Sequence, residues 1–404
     1  MSGLPTPPSQ EKNGDLPSVS ADLPDPWGWF RGQMPVVGSW AYLDHAAVGP
    51  LSSPAAAALT RFARQAATDG DVPWPSWAES VEQLRRRVAR WLGGVTEGVT
   101  LLPNTTTGIN AIAEGFPFHT GDNLVVPANE FSSNLLPWLN QRRRGVEVRC
   151  VEAPAGRVTA DLLRPAVDGR TRLIALSWVG YATGYRVDVD AILQLAHDHQ
   201  AVLFLDAIQA LGPCTLDLQK TPVDFLVADG HKWMLGPEGA AIAYFQPHLL
   251  DRVHCGTVGW HSLTPGEQFA AKTIRLADAA RRFEGGSLNM AGFIALAASL
   301  EMFWHVAAQH STETIQVRWL ERAAATADAV RRGGGVPRYS WPAQSLSGIV
   351  MFDCPNHDPQ RVRRHCLEHG VVLSVRERGL RASTHLYNDQ EDLDRLSRAL
   401  RSLH

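Results

Sequence analysis

Lysine is scarce in this chain of 404 residues, whose 38 basic residues are four lysines and 34 arginines. Lys12, Lys220 and Lys272 have no distinctive setting, whereas Lys232 follows Gly and His and precedes Trp in the segment 229–233. The excess of arginine suggests a coding background in which most surface lysines have been replaced. We therefore expect Lys232 to be retained for amine chemistry, such as Schiff-base formation, that a permanently protonated guanidinium cannot perform.

The chain also lacks features that would indicate other classes of protein. Its formal net charge is −3 and its pI is about 6.6, so neither nucleic acid nor an anionic membrane is indicated as a partner. We find no apolar run of the length of a membrane span and no signal peptide. The five cysteines are scattered without CxxC spacing, which predicts reduced thiols, mostly buried, in a cytoplasmic protein.

Short apolar runs alternate with amphipathic segments through most of the chain. This alternation predicts an α/β fold with a mostly parallel sheet covered on both faces. Residues 1–25, rich in Pro, Ser, Gly and Asp, are predicted to be a disordered tail. We assign 26–290 to a large cofactor-binding domain and 291–404 to a smaller α+β domain with its connecting helix, which is broken near 309–312.

Individual elements follow from the same patterns. The predicted strands of the large domain are 98–102, 123–126, 173–177, 201–205, 224–227 and 240–245, and helices are predicted at 106–114, 132–141 and 188–198. Farther along, strands are expected at 349–352 and 371–374 and helices at 359–369 and 390–403.

Asp206 directly follows the apolar strand predicted at 201–205. Doubly wound sheets bind ligands outside the carboxyl ends of their strands, although an Asp at such a position is otherwise a helix cap or turn residue. Together with Gln209 and Lys232 it indicates a site for pyridoxal 5′-phosphate (PLP). In that site Asp206 would keep the pyridine nitrogen protonated, and Gln209 would hydrogen-bond the phenolic oxygen.

The segment 104–110 follows a strand and opens a helix. Backbone N–H groups and the helix dipole bind phosphate at such a position, and threonine hydroxyls add donors. Simple N-capping is the alternative. We expect Thr105 and Thr106 to contact the cofactor phosphate, with His231 as a further candidate.

Two more side chains are candidates for the site. Phe131 follows the strand at 123–126 and is predicted to stack on the pyridine ring, with core packing as the alternative. Arg381 lies within an apolar strand, where its charge is costly to bury unless it meets an anion. A clamp on the α-carboxylate of an amino acid is favoured, and a salt bridge to an internal acid is the alternative.

These motifs resemble those of the class V aminotransferases, fold-type-I PLP-dependent enzymes that include cysteine desulfurases, selenocysteine lyases and isopenicillin N epimerase-like proteins. Matching segments run from 42–47 to 381–388, nearly the whole predicted folded chain. The resemblance implies that Lys232 forms the Schiff base and that Arg381 binds the substrate carboxylate. It also implies a homodimer with the active site at the interface, where Ser287 reaches the neighbouring subunit's phosphate.

Departures from the family pattern narrow the expected reaction. Cysteine desulfurases carry a nucleophilic cysteine on a loop before the arginine strand, but here residues 375–379 lead directly into that strand without a cysteine. Phe131 replaces a ring-stacking His, and Tyr181 stands near the phenolic oxygen where desulfurases have an Asn. Asp229 replaces a small hydroxyl residue, which puts one phosphate contact in doubt. His45 replaces an Asn and is either an acid–base group facing the substrate or a turn-stabilising residue.

The sequence thus predicts a PLP-dependent enzyme acting at Cα of a small amino acid or thioether conjugate through a Schiff base with the cofactor. The two favoured reactions are transamination and the β-elimination of a C–S lyase. The alternatives are an isopenicillin N epimerase-like racemase using His45 or Tyr181, a decarboxylation-coupled deaminase, and a non-catalytic PLP-binding regulator, although no DNA-binding domain is recognised. Substrate contacts are expected from Arg381, His45 and Trp260, with packing an equal alternative for Trp260. No metal is expected.

Overall fold

The structure, a computed structural model, describes residues 23–264 and 273–403. The tail predicted at 1–25 therefore lies almost wholly outside the described residues, and the first helix begins at Pro26. The helices are α1 Pro26–Gly32, α2 Ser53–Asp69, α3 Trp74–Trp91, α4 Thr105–Gly115, α5 Leu136–Leu139, α6 Ala160–Leu163, α7 Val189–Asp198, α8 Met290–His310, α9 Thr312–Arg332, α10 Pro359–Glu368 and α11 Gln390–Arg401. The strands are β1 Ala41–Tyr42, β2 Val99–Leu102, β3 Asn123–Pro127, β4 Glu147–Val151, β5 Thr171–Ser177, β6 Val202–Asp206, β7 Phe225–Asp229, β8 Ala241–Phe245, β9 Val336–Pro337, β10 Ile349–Asp353, β11 Val371–Val372, β12 Ser374–Arg376 and β13 Gly379–Ser383.

A seven-stranded sheet forms the centre of the fold, in the order β2-β8-β7-β6-β5-β3-β4. Neighbouring strands from β7 to β4 are parallel, and β8 is antiparallel to both β7 and β2. Strands β6, β7 and β8 are buried along their whole length, as their continuous apolar sequences require. The prediction of a mostly parallel sheet is confirmed.

Apolar side chains cover both faces of this sheet. Along β6, Leu203 and Leu205 belong to one hydrophobic cluster, and Val202 and Phe204 belong to another. Successive side chains of a strand point to opposite faces, so the two clusters lie on opposite sides of the sheet. Because β5, β6 and β7 are neighbouring parallel strands, the polar groups at their ends lie at one edge of the sheet.

A second sheet, in the order β12-β13-β10-β9, is entirely antiparallel. Near it, β1 pairs in parallel with β11, so the segment after α1 packs with the C-terminal elements. The predicted break in the connecting helix is confirmed, since α8 ends at His310, Ser311 has a positive φ of 81°, and α9 begins at Thr312. The domain boundary at 290/291 stays a prediction.

Two predicted elements differ from the structure. The helix expected at 132–141 is instead a 3₁₀ turn at Ser132–Asn134, the short α5 and a second 3₁₀ segment at Asn140–Arg144. Pro137 lies in the first turn of α5 and has no N–H, so a continuous helical hydrogen-bond ladder cannot pass through it. The strand expected at 371–374 is divided between β11, which pairs with β1, and β12, which pairs with β13.

Helix α8 is long and apolar enough to cross a membrane by length and composition, contrary to the expectation from apolar runs. Half of its most apolar stretch is buried inside the fold, where α2 and α3 pack against it. A helix that is apolar on most of its circumference is also typical of a protein core. This packing accounts for the apolar side chains on the buried half of α8.

Candidate active site

A cavity of about 420 Å³ lies at the ends of β5, β6 and β7 and beside the N-terminus of α4. Ser177, Asp206 and Asp229, the last residues of those three strands, all line it. Nine of the predicted site residues line the same cavity: Thr105, Thr106, Phe131, Tyr181, Asp206, Gln209, His231, Lys232 and Arg381.

Lys232 reaches the cavity from the turn that follows β7. The backbone N–H of Gly49 donates to the carbonyl of His231 at 2.6 Å, and a Cβ at Gly49 would lie 2.2 Å from the carbonyl oxygen of Lys232. Only glycine allows this close approach. Burial lowers the pKa of Lys232 to about 8, against the opposing effect of the Asp206 charge. A neutral, nucleophilic amine is therefore accessible at mildly alkaline pH.

Asp206 ends β6 and is buried. Burial raises the pKa of its carboxyl to about 6, while the backbone N–H of Ile208, which donates to Oδ1 at 3.0 Å, and the charge of Lys232 oppose that rise. Such a carboxylate is suited to accept a hydrogen bond from a protonated ring nitrogen, because the partner's positive charge would offset its desolvation.

The Gln209 side chain is fixed by two buried hydrogen bonds. Its Nε2 donates to the carbonyl of Ala46 at 2.9 Å, and its Oε1 accepts from Trp233 Nε1 at 2.9 Å. An amide nitrogen has two protons, so one N–H is left for a ligand in the cavity. The sequence reasoning gave no role to Trp233, and its position next to Lys232 was the available signal.

Helix α4 begins at Thr105 and is capped by Asn104, whose Oδ1 accepts from the N–H of Thr107 at 2.8 Å. Within the described part of the chain, the buried Oγ1 of Thr105 has no hydrogen-bond partner. Thr106 Oγ1 donates to Ser133 Oγ at 2.9 Å, and Ser133, which the sequence reasoning missed, also lines the cavity. A helix N-terminus with an unpartnered hydroxyl is suited to a phosphate group.

His231 and Asp229 lie together at the same side of the cavity, with 2.9 Å between His231 Nδ1 and Asp229 Oδ1. Asp229, which departs from the family pattern, thus contacts His231, a candidate phosphate ligand. Both residues line the cavity, so His231 stays a candidate contact for the phosphate.

Phe131 is 45% exposed and lines the cavity, so the core-packing alternative is wrong. Its ring meets the ring of Tyr181 edge-on at 5.2 Å, and Lys232 Nζ lies 5.8 Å from its centroid. The preceding residue, Glu130, accepts hydrogen bonds from the backbone N–H and the hydroxyl of Ser177. Burial raises the pKa of Glu130 to about 7. The contact between Glu130 and Ser177, which fixes the residue before Phe131, could not be found from the sequence.

Arg381 projects from β13 and is 1% exposed. Its Nη1 donates to the carbonyl of Tyr181 at 2.7 Å, its Nη2 lies 3.4 Å from Asp44 Oδ1, and its buried Nε has no hydrogen-bond partner in the described residues. Burial lowers the pKa of Arg381 to about 10. The ion pair with Asp44 is present, as one sequence alternative predicted, and the clamp on a substrate carboxylate stays a prediction.

Three predicted residues do not line the cavity of this chain. His45 is fully buried, with Nδ1 2.9 Å from the carbonyl of Ser383 and Nε2 2.8 Å from Tyr387 Oη. Burial lowers the pKa of His45 to about 4. The substrate-facing role expected for His45 is therefore not supported, and the turn-stabilising alternative is. Ser287 is exposed and Trp260 partly exposed, and their roles stay predictions.

The cavity residues fit PLP in chemical type. The unpartnered Thr105 hydroxyl at a helix N-terminus suits the phosphate, Asp206 suits the pyridine nitrogen, and Lys232 is an amine able to bond the aldehyde carbon. A parallel sheet with an amine nucleophile at the carboxyl ends of its strands is the arrangement of fold-type-I PLP-dependent enzymes.

Comparison with known proteins identifies the family. Residues 41–396 match the family model for aminotransferase class-V. A probable cysteine desulfurase from Methanothermobacter thermautotrophicus is 30% identical over 395 residues, covering 92% of this chain and 97% of the relative. The chain belongs to the class V aminotransferases, and PLP is the cofactor of this family.

Solved structures have the same fold. An apo cysteine desulfurase from Thermococcus onnurineus NA1 has a TM-score of 0.82 and 21% sequence identity, over 92% of this chain and 96% of the relative. A cystine C–S lyase in complex with its reaction product cysteine persulfide has a TM-score of 0.84 and 22% identity, over 91% of this chain and 99% of the relative. The fold-type-I architecture is therefore established.

Proposed function

We propose that this enzyme is a C–S lyase that removes a β-sulfur substituent from a cysteine conjugate by taking the proton from Cα. The observation that carries the proposal is the convergence of Lys232, Asp206 and Arg381 on one cavity. The cysteine desulfurase and C–S lyase relatives support sulfur at Cβ of the substrate.

Bound PLP supplies an electron sink for the pair released when a bond at Cα breaks. Arg381, which lines the cavity, would hold the substrate carboxylate through its guanidinium and so orient the Cα–H bond. Lys232 Nζ, once displaced by the substrate amine, would accept the Cα proton as a general base. Asp206 would stabilise the positive charge at the far end of the ring. The C–S bonding electrons would leave with the sulfur as a thiolate, to which Lys232 could return the Cα proton, and one water would convert the three-carbon part of the substrate into pyruvate and ammonia.

The hairpin before Arg381 favours elimination over desulfuration. Residues Arg376 and Gly379 pair directly, so Glu377 and Arg378 alone form the turn between β12 and β13. All five cysteines lie in the described part of the chain, and none of them lines the cavity. A persulfide-carrying cysteine on a long loop is not supported by this arrangement.

We further propose a cytoplasmic homodimer in which Ser287 of one subunit approaches the phosphate site of the other and Trp260 contributes to the substrate site. The support is that Ser287 is exposed and does not line the cavity of its own chain, while the resemblance to the family implies a contact with a phosphate. Sedimentation velocity of the PLP-loaded protein tests the dimer, and a Ser287→Ala variant tests its effect on PLP affinity.

The reaction is tested by absorbance spectroscopy of the PLP-loaded protein with L-amino acids and cysteine thioethers. Elimination predicts a persistent Schiff-base absorbance while pyruvate, ammonia and a free thiol accumulate. Transamination predicts instead that the absorbance is lost and a keto acid is released. A Lys232→Ala variant that retained turnover would contradict the catalytic role of Lys232, and a protein that took up no PLP would refute the proposal altogether.

A further inference from the structure

Two arginines project from the same face of the β12–β13 hairpin. Arg381 pairs directly with Ser374 across the antiparallel ladder, and Arg376 lies two residues beyond Ser374 in β12. Cross-strand partners share a face, and so do residues two apart in a strand. Both arginines line the cofactor cavity. One α-carboxylate needs only one of them.

The charges of the two guanidiniums are balanced differently. Arg381 has Asp44 behind it, and Asp44 Oδ1 also accepts from Ser374 Oγ at 2.8 Å. Arg376 donates from Nη1 to the carbonyl of Val375 at 2.8 Å and makes no ion pair with an acid in the part of the chain described. Its charge lowers the pKa of both Arg381 and Lys232. Asp44 interacts with the Arg376 charge at longer range, but within the described residues only Arg381 of the two arginines has a carboxylate within salt-bridge distance.

Arg376 also borders a second pocket of about 310 Å³, whose lining shares only Arg376 with the cofactor cavity. This pocket is lined by Asp44, Ser374 and Val375 and, from α10, by Gln360 and Arg363. Arg363 donates from Nε to the carbonyl of Leu373 at 3.2 Å, which holds its side chain along the pocket. The polar groups of this pocket are thus the guanidiniums of Arg376 and Arg363, the amide of Gln360, the hydroxyl of Ser374 and the carboxylate of Asp44.

The hairpin turn that follows Arg376 has an unfavourable backbone conformation. Glu377 and Arg378 have φ values of 46° and 59°, in the left-handed region that residues other than Gly, Asn and Asp rarely adopt. Strained backbone of this kind persists at binding and catalytic sites, where the surrounding structure determines it. The observation is consistent with a binding role for the strand end.

We propose that Arg376, with Arg363 beyond it, binds a second carboxylate at the end of the substrate side chain. The inference rests on the proposed function and names its substrate class: cysteine thioethers that bear a carboxylate on the sulfur substituent, and other amino acids with an acidic side chain. A carboxylate would pair with the planar fork of Arg376 and offset its charge. Asp44 Oδ1 accepts from Ser374 Oγ and lies 3.4 Å from Arg381 Nη2, so Arg376 is the guanidinium left to pair with a second carboxylate.

The test compares two thioethers of equal length, S-(2-carboxyethyl)-L-cysteine and S-propyl-L-cysteine, with the PLP-loaded enzyme. We expect the wild type to prefer the carboxylate, and Arg376→Gln to reduce the ratio of the two kcat/KM values by about 10- to 100-fold, mainly through KM. Arg363→Gln should reduce the ratio less. Arg364→Gln is the matched control, because Arg364 is an exposed neighbour on α10 that lines neither pocket.

A binding measurement separates this inference from the proposed function. Glutarate should raise the melting temperature of the PLP-loaded wild type more than pentanoate does, and Arg376→Gln should abolish the difference even if neither thioether is turned over. Equal kcat/KM for the two thioethers, or equal melting shifts, would overturn the inference while leaving lyase activity intact. Dissociation of the dimer in Arg376→Gln, measured by sedimentation velocity, would overturn it by assigning Arg376 to the subunit interface.

Discussion

Replacing Lys232 by methionine keeps the length of the side chain and removes its amine. In the apoprotein this exchange tests whether burial in the cavity destabilises the lysine charge. An ordinary lysine has a pKa of 10.5, and burial lowers the pKa of Lys232 to about 8. The charged form is therefore less stable in the folded protein than in the unfolded chain.

The expected gain in stability follows from that difference. Each pH unit between the two values corresponds to about 1.4 kcal/mol, and water in the cavity screens part of it, so we expect Lys232→Met to raise the unfolding free energy by about 2 to 3 kcal/mol at pH 7. Below pH 8 the lysine lowers the stability of the folded protein by its full amount, because it is protonated in both the folded and the unfolded state and its charge is buried only in the folded state. Between pH 8 and 10.5 the unfolded chain binds more protons, so wild-type stability rises with pH and the difference disappears near pH 10.5.

Urea unfolding of both apoproteins at equal concentration, from pH 7 to 10.5, measures this difference. In the variant the Asp206 carboxylate no longer has the Lys232 charge beside it, which destabilises its ionised form. Because the pKa of Asp206 is raised to about 6, the carboxylate can take up a proton, and this limits the loss of stability. A variant less stable than the wild type at pH 7, or a difference independent of pH, would refute the reasoning. Borohydride should reduce PLP onto the wild type and leave Lys232→Met unlabelled.

Three further substitutions test the surroundings of the site. Glu284→Gln should lower the unfolding free energy, measured in urea, by about 3 kcal/mol, because the buried Glu284 carboxylate accepts two hydrogen bonds from the buried Arg85. Glu82→Gln is the control, since it removes the more exposed partner of Arg85. An equal loss of stability in the two variants would contradict this reasoning. Gly49→Ala should reduce kcat/KM on the order of 10-fold or more with the fold retained by circular dichroism, since the new Cβ would displace the Lys232 backbone; unchanged kcat/KM would disprove the close approach. Arg378→Gly should raise the unfolding free energy by about 0.5 to 1 kcal/mol by relieving a left-handed φ, whereas a loss of stability would show that the turn is unstrained.

The parts of the site predicted from the sequence are those fixed by local chain geometry. A parallel strand brings its last residue to the ligand-binding edge, so Asp206 could be placed from the strand alone. Thr105 could be placed in the same way from a strand followed by a helix start. Lys232 stood out by its rarity and by the residues around it.

Contacts between distant segments could not be predicted. Arg381 and Asp44 are 337 residues apart, and they meet because Asp44 forms a β-bridge with Ser383 of β13. The partners of Gln209 are Trp233 and Ala46, which no spacing rule brings together. The same limit applies to Arg376, whose importance appears only when the β12–β13 register places it on the face that carries Arg381.

The buried position of His45 bears on the racemase alternative. Racemisation needs a base on one face of Cα and an acid on the other, and the sequence offered His45 or Tyr181 opposite Lys232. His45 has both ring nitrogens engaged, its pKa is lowered to about 4 by burial, and it does not line the cavity. Tyr181 does line the cavity, and burial raises its pKa, so it stays protonated at neutral pH and serves only as a donor. Racemisation in both directions would require Tyr181 to lose that proton, which its burial opposes, whereas elimination needs only Lys232 as the base.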